Sequence, residues 1–233
     1  MTRITALDNR PSLWRMDWPK TPDEAYAIQD VLRHRLLDGP VPAEPRTFAG
    51  VDVAYGEDRL AAAVVVLGAD LSVRETAVVV GAPAFPYVPG LFAFRELPAV
   101  LEAFEGLKNK PDVIVCDGQG RAHPRRFGLA CHLGVLLDLP TLGVGKTRLV
   151  GEADEPGEKR GERTALIDRG EEVGALLRTR DGVKPVYVSA GHRMDLATAC
   201  ALTLLLTPRY RLPETTRSAD HACRAALAGH TGS

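Results

Sequence analysis

The sequence predicts a mixed α/β sheet flanked by helices, formed as one domain over residues 1–233. Two stretches carry that expectation. FAGVDVAYGEDRLAAAVVVLGADLSVRETAVVVGAP, from residue 48, reads as three short strands with turns at Gly56–Asp58 and Gly68–Asp70, and tight turns in succession make an antiparallel meander. DVIVCDG, RRFGLACHLGVLLDL and TLGVGK then run strand, helix, strand, a spacing that points to parallel pairing through a crossover helix. Antiparallel strands first and parallel units later, with helices on both faces, define a mixed sheet.

The first element is a helix over 22–37, in TPDEAYAIQDVLRHRLL. Thr21 suits the N-cap, Pro22 the first helical position and Glu24 the reciprocal capping-box position. A proline-rich connector, GPVPAEP, leads to the meander. In FRELPAVLEAF, Pro98 suits the first turn of a helix, which places Glu96 just before it. After the DVIVCDG strand a helix is expected over 125–138. The polar stretch GEADEPGEKRG reads as an exposed loop, RTALIDRG and EVGALLRTR as a hairpin, and KPVYVSAG as a further strand. Helices near 193–206 and 214–228 complete the chain.

At 233 residues and 45% hydrophobic, the chain can bury one substantial core. No apolar run is long enough to cross a bilayer, and MTRITALDNRPSLWR lacks the apolar centre of a secretory signal, so no membrane association and a cytoplasmic location are the expectations. Cysteines 116, 131, 200 and 223 form no CxxC pair and sit mostly among apolar neighbours, which suits buried free thiols. A net charge of −1 excludes a general attraction for nucleic acid. Locally the balance differs: Arg121, Arg125, Arg126, Lys146 and Arg148 face only Asp138 between residues 121 and 148, a basic stripe suited to one anionic ligand.

In AGVDVAY, alternation puts Val51, Val53 and Tyr55 on one face and Asp52 with the small residues Gly50 and Ala54 on the other, leaving room for a ligand. A lone strand aspartate more often points into water. Asp117 changes that balance, because it ends the VIVC run, and ligands gather at the carboxyl ends of strands in open α/β sheets. If the two strands are neighbours, both carboxylates can converge on one hard cation. Mg²⁺ commonly takes one or two carboxylates and leaves its other positions to water and phosphate, which fits phosphodiester hydrolysis. Glu96 is a possible third carboxylate, or a charge favourable to its helix. Asp220 is a fourth; on its own it would more often be a solvated helix residue.

AGVDVAY, FPYVPGLFAFRE, VCDGQGRAHPRRFGLACHLGV, PTLGVGKTRL, VYVSAGHR and the late RSAD together resemble the endonuclease V family along most of the chain. The long central segment carries most of the specificity. The resemblance implies an RNase H-like fold and Mg²⁺-dependent hydrolysis, with Mn²⁺ able to substitute, of the second phosphodiester bond 3′ to a deaminated purine. The products would carry 3′-hydroxyl and 5′-phosphate ends. The partner implied is DNA containing deaminated bases, with inosine-containing RNA open, and the protein would be a monomer.

By motif, Asp52, Glu96 and Asp117 match the family's acidic catalytic positions, Asp52 and Asp117 as metal ligands, and Asp220 matches its late acidic residue. Lys146 is expected to contact a phosphate. For His123 two roles compete: contact with phosphate or leaving group, and a hydrogen bond that stabilises its loop. His192 is the weaker histidine and could simply cap its turn. Arg125 and Arg126 lead into the next helix, where backbone amides could also receive a phosphate. In FPYVPG, Pro86 and Pro89 stiffen a loop that presents Tyr87 and Val88. That loop is the DNA-separating wedge in the family and could otherwise be a rigid turn covering the sheet. Gly118 and Gly120 would let their backbone approach an extruded base, with Leu149 as a further pocket wall or a core residue. Two alternatives stand beside this reading: a binder of inosine-containing nucleic acid that does not cut, and another RNase H-like structure-specific nuclease.

Overall fold

A computed structural model describes residues 17–39, 41–42 and 44–229; the amino-terminal stretch considered above as a possible signal lies outside them. Strands β1 (Thr47–Tyr55), β2 (Leu60–Gly68) and β3 (Val73–Gly81) form the expected antiparallel meander. Strand β4 (Val113–Asp117) pairs in parallel with β1, and β5 (Thr141–Gly145), reached through helix α3 (Leu129–Leu137), pairs in parallel with β4. The hairpin β6 (Arg163–Asp168) and β7 (Glu171–Leu177) joins through β8 (Val186–Ala190), which runs antiparallel to β5. The result is one 8-stranded sheet in the order β3-β2-β1-β4-β5-β8-β7-β6, the mixed RNase H-like arrangement expected.

Strand alternation sorts the core onto two faces. Ala49, Val51, Ile114 and Cys116 pack beneath α2 (Phe92–Glu105) and α3. Phe48, Val113, Val115, Leu142 and Val144 face α4 (Leu196–Leu205), while Ala61, Ala63 and Val65 face α5 (Glu214–Gly229). All four cysteines are buried and free. No helix among the described residues is long and apolar enough to cross a membrane.

Three element boundaries differ from expectation. Helix α1 spans Pro22–Leu32, and Arg33–Arg35 continue as one tighter 3-10 turn, a common ending for a helix. Thr21 caps it as expected, its hydroxyl accepting from the Glu24 amide, but the Glu24 carboxylate reaches back to the Lys20 amide at 2.7 Å. Helix α3 starts at Leu129 because Arg126 takes a left-handed φ of 57° and Gly128 is extended, so 125–128 are a turn. Helix α2 starts at Phe92, with Pro98 inside it and Glu96 in mid-helix. The helix tolerates one missing N–H there, at the cost of a partner for the Phe94 carbonyl.

Candidate active site

The pairing Val51↔Cys116 sets Asp52, in the carboxyl half of β1, beside Asp117 at the carboxyl end of the adjacent parallel strand β4. Asp52 shares its face with Phe48, and Asp117 shares its face with Val113 and Val115, so both side chains lie on the α4/α5 side of the sheet. Lys146, just past β5, forms an ion pair with Asp117. Burial and then the charge of Asp117 push Asp52 up from 3.8 to about 7. Burial opposes the Lys146 ammonium, yet its hydrogen bond and attraction to Asp117 outweigh that and raise it. Asp220 on α5 is close enough for its charge to be felt at both Asp52 and Lys146, and it holds Arg224 at 2.8 Å.

Glu96 reaches the cluster from the opposite face. It is buried, and burial together with the charges of Asp52 and Asp117 raises it well above the usual carboxylate range. Tyr55, which alternation directs to the α2 side, donates its hydroxyl to Glu96 Oε1 at 3.1 Å and opposes that rise. The smallness of Gly50 serves packing and leaves no ligand space: an added Cβ would lie 2.0 Å from the Thr215 carbonyl oxygen, so Gly50 lets α5 close on β1. The donors gathered here are carboxylate oxygens, the hard set that suits Mg²⁺. Among the described residues no group of three or more His, Cys, Asp or Glu makes a ready-made ion site.

Beside Asp117 lies a cavity of about 390 Å³ whose walls include Gly90, Gly118, Gln119, Lys146 and Leu149. Gly118 has a φ of 156° and no side chain to close the space, and Leu149 is 48% exposed. At one edge stands the 86–89 loop. Tyr87 is 69% exposed and meets Phe92 edge-on at 6.1 Å, whereas Val88 packs against the cluster of Phe85, Leu91 and Phe94. The projecting wedge is therefore Tyr87 between exposed prolines, with Val88 as its anchor. Gly120 is set apart from the cavity walls. Its amide donates to the Ser189 hydroxyl oxygen at 2.8 Å, and a Cβ there would strike the Ala190 carbonyl, so it is small for sheet packing.

A carboxylate pair on adjacent strands joins, through Asp117 and Lys146, a glycine-walled cavity under a proline-bounded aromatic. The endonuclease V family model matches residues 31–221. The chain belongs to the endonuclease V family. It is 57% identical over 216 residues to endonuclease V of Streptomyces coelicolor, covering 90% of this chain and 92% of that one. The crystal structure of the Streptomyces avermitilis endonuclease V superposes with a TM-score of 0.88 at 53% identity, covering 96% of this chain and 98% of the other. That of Ciona intestinalis endonuclease V, in complex with a 24mer DNA containing an inosine followed by a ribo-adenosine, gives 0.79 at 27% identity, covering 89% and 97%.

Several residues have other work in this chain than their sequence context suggests. Arg125 pairs with Asp30 on α1. Arg126 binds Asp168 at 2.7 Å and Glu171 at 2.9 Å, clamping the β6–β7 hairpin turn to the 121–128 loop. Neither arginine lies at a helix N-terminus, because α3 begins later. With Arg121 on Asp38 and Lys146 on Asp117, four of the five cations of the basic stripe are engaged within the protein.

His123 is likewise committed to its loop, at the cavity wall. Nε2 lies 3.1 Å from the Gly90 carbonyl and Nδ1 accepts from the Arg125 amide, which makes Nε2 the protonated nitrogen. Burial then pulls it down to about 4. Of its two competing roles, the structure shows the loop-stabilising bond. His192 accepts from the Leu37 amide at Nδ1 and faces Asp138 at 3.1 Å through Nε2, tying α1's end to α3's end. Gln119, Tyr55 and Gln29 belong to this neighbourhood and were not singled out by sequence. Gln119 Nε2 donates to the Thr147 carbonyl and steadies the turn that carries Lys146. Gln29 falls at helical spacing with the buried Ala25 and Leu32 of α1, a periodicity that is its one sequence signal.

Proposed function

We propose that this protein is a divalent-metal-dependent endonuclease, with Mg²⁺ as the cation, that nicks nucleic acid beside a deaminated base. The observation that carries the reading is the Asp52–Asp117 pair on neighbouring parallel strands, with Asp117 and its partner Lys146 lining the cavity beneath Tyr87. Neighbouring carboxylates repel unless a cation intervenes, and the rise of Asp52 to about 7 comes from burial first and from that repulsion by Asp117 second. Mg²⁺ bound to Asp52 and Asp117 would lower the pKa of a water and neutralise charge growing on the phosphate.

The chain's own residues do the rest. Glu96, braced by Tyr55, adds a buried carboxylate at the edge of the pair and is suited to orient or accept a proton from the attacking water. Lys146, paired with Asp117 at the cavity wall, would serve as a point charge for the scissile phosphate. Asp220 adds negative field from α5. Tyr87 stacks where the base was removed, and stacking of about 1–3 kcal/mol offsets much of the cost of extrusion. Gly118 and Leu149 wall the cavity that would receive the base. The relative solved with inosine-containing DNA supports hypoxanthine as that base. The bond cut would be the second 3′ phosphodiester, leaving 3′-hydroxyl and 5′-phosphate ends.

The test is incubation of wild-type protein and Asp117→Ala with Mg²⁺ and labelled DNA carrying one inosine. Wild type is expected to nick one base beyond the lesion, and the variant to bind without cutting. Full activity of Asp117→Ala, or a shifted band without a nick from wild type, would overturn the reading in favour of another site or of a non-cutting binder. Inosine placed in single strand, duplex and RNA in parallel lanes ranks the substrates.

A further inference from the structure

The Gly90 carbonyl ends the 86–89 wedge loop, and Gly90 also lines the cavity. Its backbone is left-handed, with a φ of 81°, so the wedge turns sharply there into α2. Two buried side chains from remote parts of the chain meet on that one oxygen. Gln29 Nε2 of α1 donates at 3.0 Å, and His123 Nε2 of the β4–α3 loop donates at 3.1 Å. Both lone pairs of the oxygen are thereby filled. Gln29 is 1% exposed and His123 5%, so water cannot readily replace either donor. The Oε1 of Gln29 has no partner among the described residues, so the bond to Gly90 is the one that holds this side chain there.

We infer that Gln29 is a positioning residue for base extrusion: with His123 it pins the Gly90 end of the wedge, fixing Tyr87 relative to the cavity. The inference rests on the proposed action at a deaminated base. Gln29 sits on a helix that packs on α2 and α3 and also lines the cavity, and it does this through Gly90. It holds the hinge on which the aromatic stands, and a hinge left on one donor lets Tyr87 swing away from the vacated stack. The demand for a fixed wedge is greatest where a paired base must be pried out, and least in a single strand, where no pairing resists.

The test compares wild type with Gln29→Met, which keeps the length and removes the donor. Initial nicking rates with Mg²⁺ are measured on inosine in duplex and in single-stranded DNA, and the thermal midpoint of each protein is recorded. The expected result is a duplex rate lower by roughly three- to tenfold, the loss of one neutral hydrogen bond, with the single-strand rate within about twofold of wild type. A purely structural glutamine would lower both rates together, and that outcome, or no change in either, overturns the inference. Should Gln29→Met fail to fold, Gln29→Leu carries the same expectation and the same refutation. Wild-type protein that nicks neither substrate would overturn the function itself, a result visible before any variant is compared.

Discussion

Replacing Asp52 by asparagine should stabilise the metal-free protein while abolishing its cutting. Burial and the Asp117 charge raise this carboxyl from 3.8 to about 7. Below about pH 4 it is protonated in folded and unfolded chains alike and costs nothing. Between about pH 4 and 7 the unfolded chain releases a proton that the folded chain retains, so stability falls as pH rises. Above about pH 7 the deficit is complete and constant. At about 1.4 kcal/mol for each tenfold change in proton affinity, the full displacement corresponds to roughly 4 kcal/mol. The desolvation of the new amide offsets part of it, leaving about 2–3 kcal/mol. Urea denaturation followed by circular dichroism, with a chelator present, measures the difference. Asp52→Asn should be more stable than wild type by that amount at pH 8 and nearly equal to it at pH 4. Added Mg²⁺ should raise the wild-type midpoint at pH 8 and leave the variant's unchanged, because binding to the folded state alone stabilises it. Equal stability at pH 8, or the same gain at both pH values, would refute the account of a carboxylate held against its charge for want of a cation.

The other predictions follow from single contacts. Gly50→Ala sets a methyl 2.0 Å from the Thr215 carbonyl oxygen; α5 must move, at a cost of about 1–3 kcal/mol or more, and nicking should fall with it because α5 carries Asp220. A thermal midpoint equal to wild type would show that the helix does not rest on that glycine. Tyr87→Ala removes a ring that is 69% exposed, so stability should change by no more than about 0.5 kcal/mol. Its duplex nicking should fall about tenfold or more, the value of one stacked base; an unchanged duplex rate in a gel assay would dismiss the wedge.

Much of the sheet was legible because its signals are local. The turns at Gly56–Asp58 and Gly68–Asp70 closed the meander, and the short VIVCD and TLGVG strands around an apolar helix became the parallel centre. The neighbourhood of Asp52 and Asp117 followed from that strand order. Glu96 was found as a candidate but misplaced before its helix, since Pro98 looks the same in a first turn as in a helix tolerating one missing bond. Arg125 and Arg126 could not be read correctly, because their partners Asp30, Asp168 and Glu171 lie far along the chain. Gly118 and Gly120 are alike in sequence, yet one walls the cavity and the other yields to the Ala190 carbonyl.

The amino-acid sequence by itself determined the strand and helix periods, one carboxylate within a strand and another at a strand end, and the proline-bounded aromatic, because each depends on residues a few positions apart. Only the tertiary structure decided which polar groups remain available for chemistry. His123 and Gln29 converge on one carbonyl at residue 90, Tyr55 braces Glu96, and four of the stripe's cations are held by carboxylates within the fold. The physical reason is that a hydrogen bond or ion pair consumes both partners at once. Whether a side chain is free to act is therefore a property of the pair, and the fold brings together pairs that sequence distance conceals.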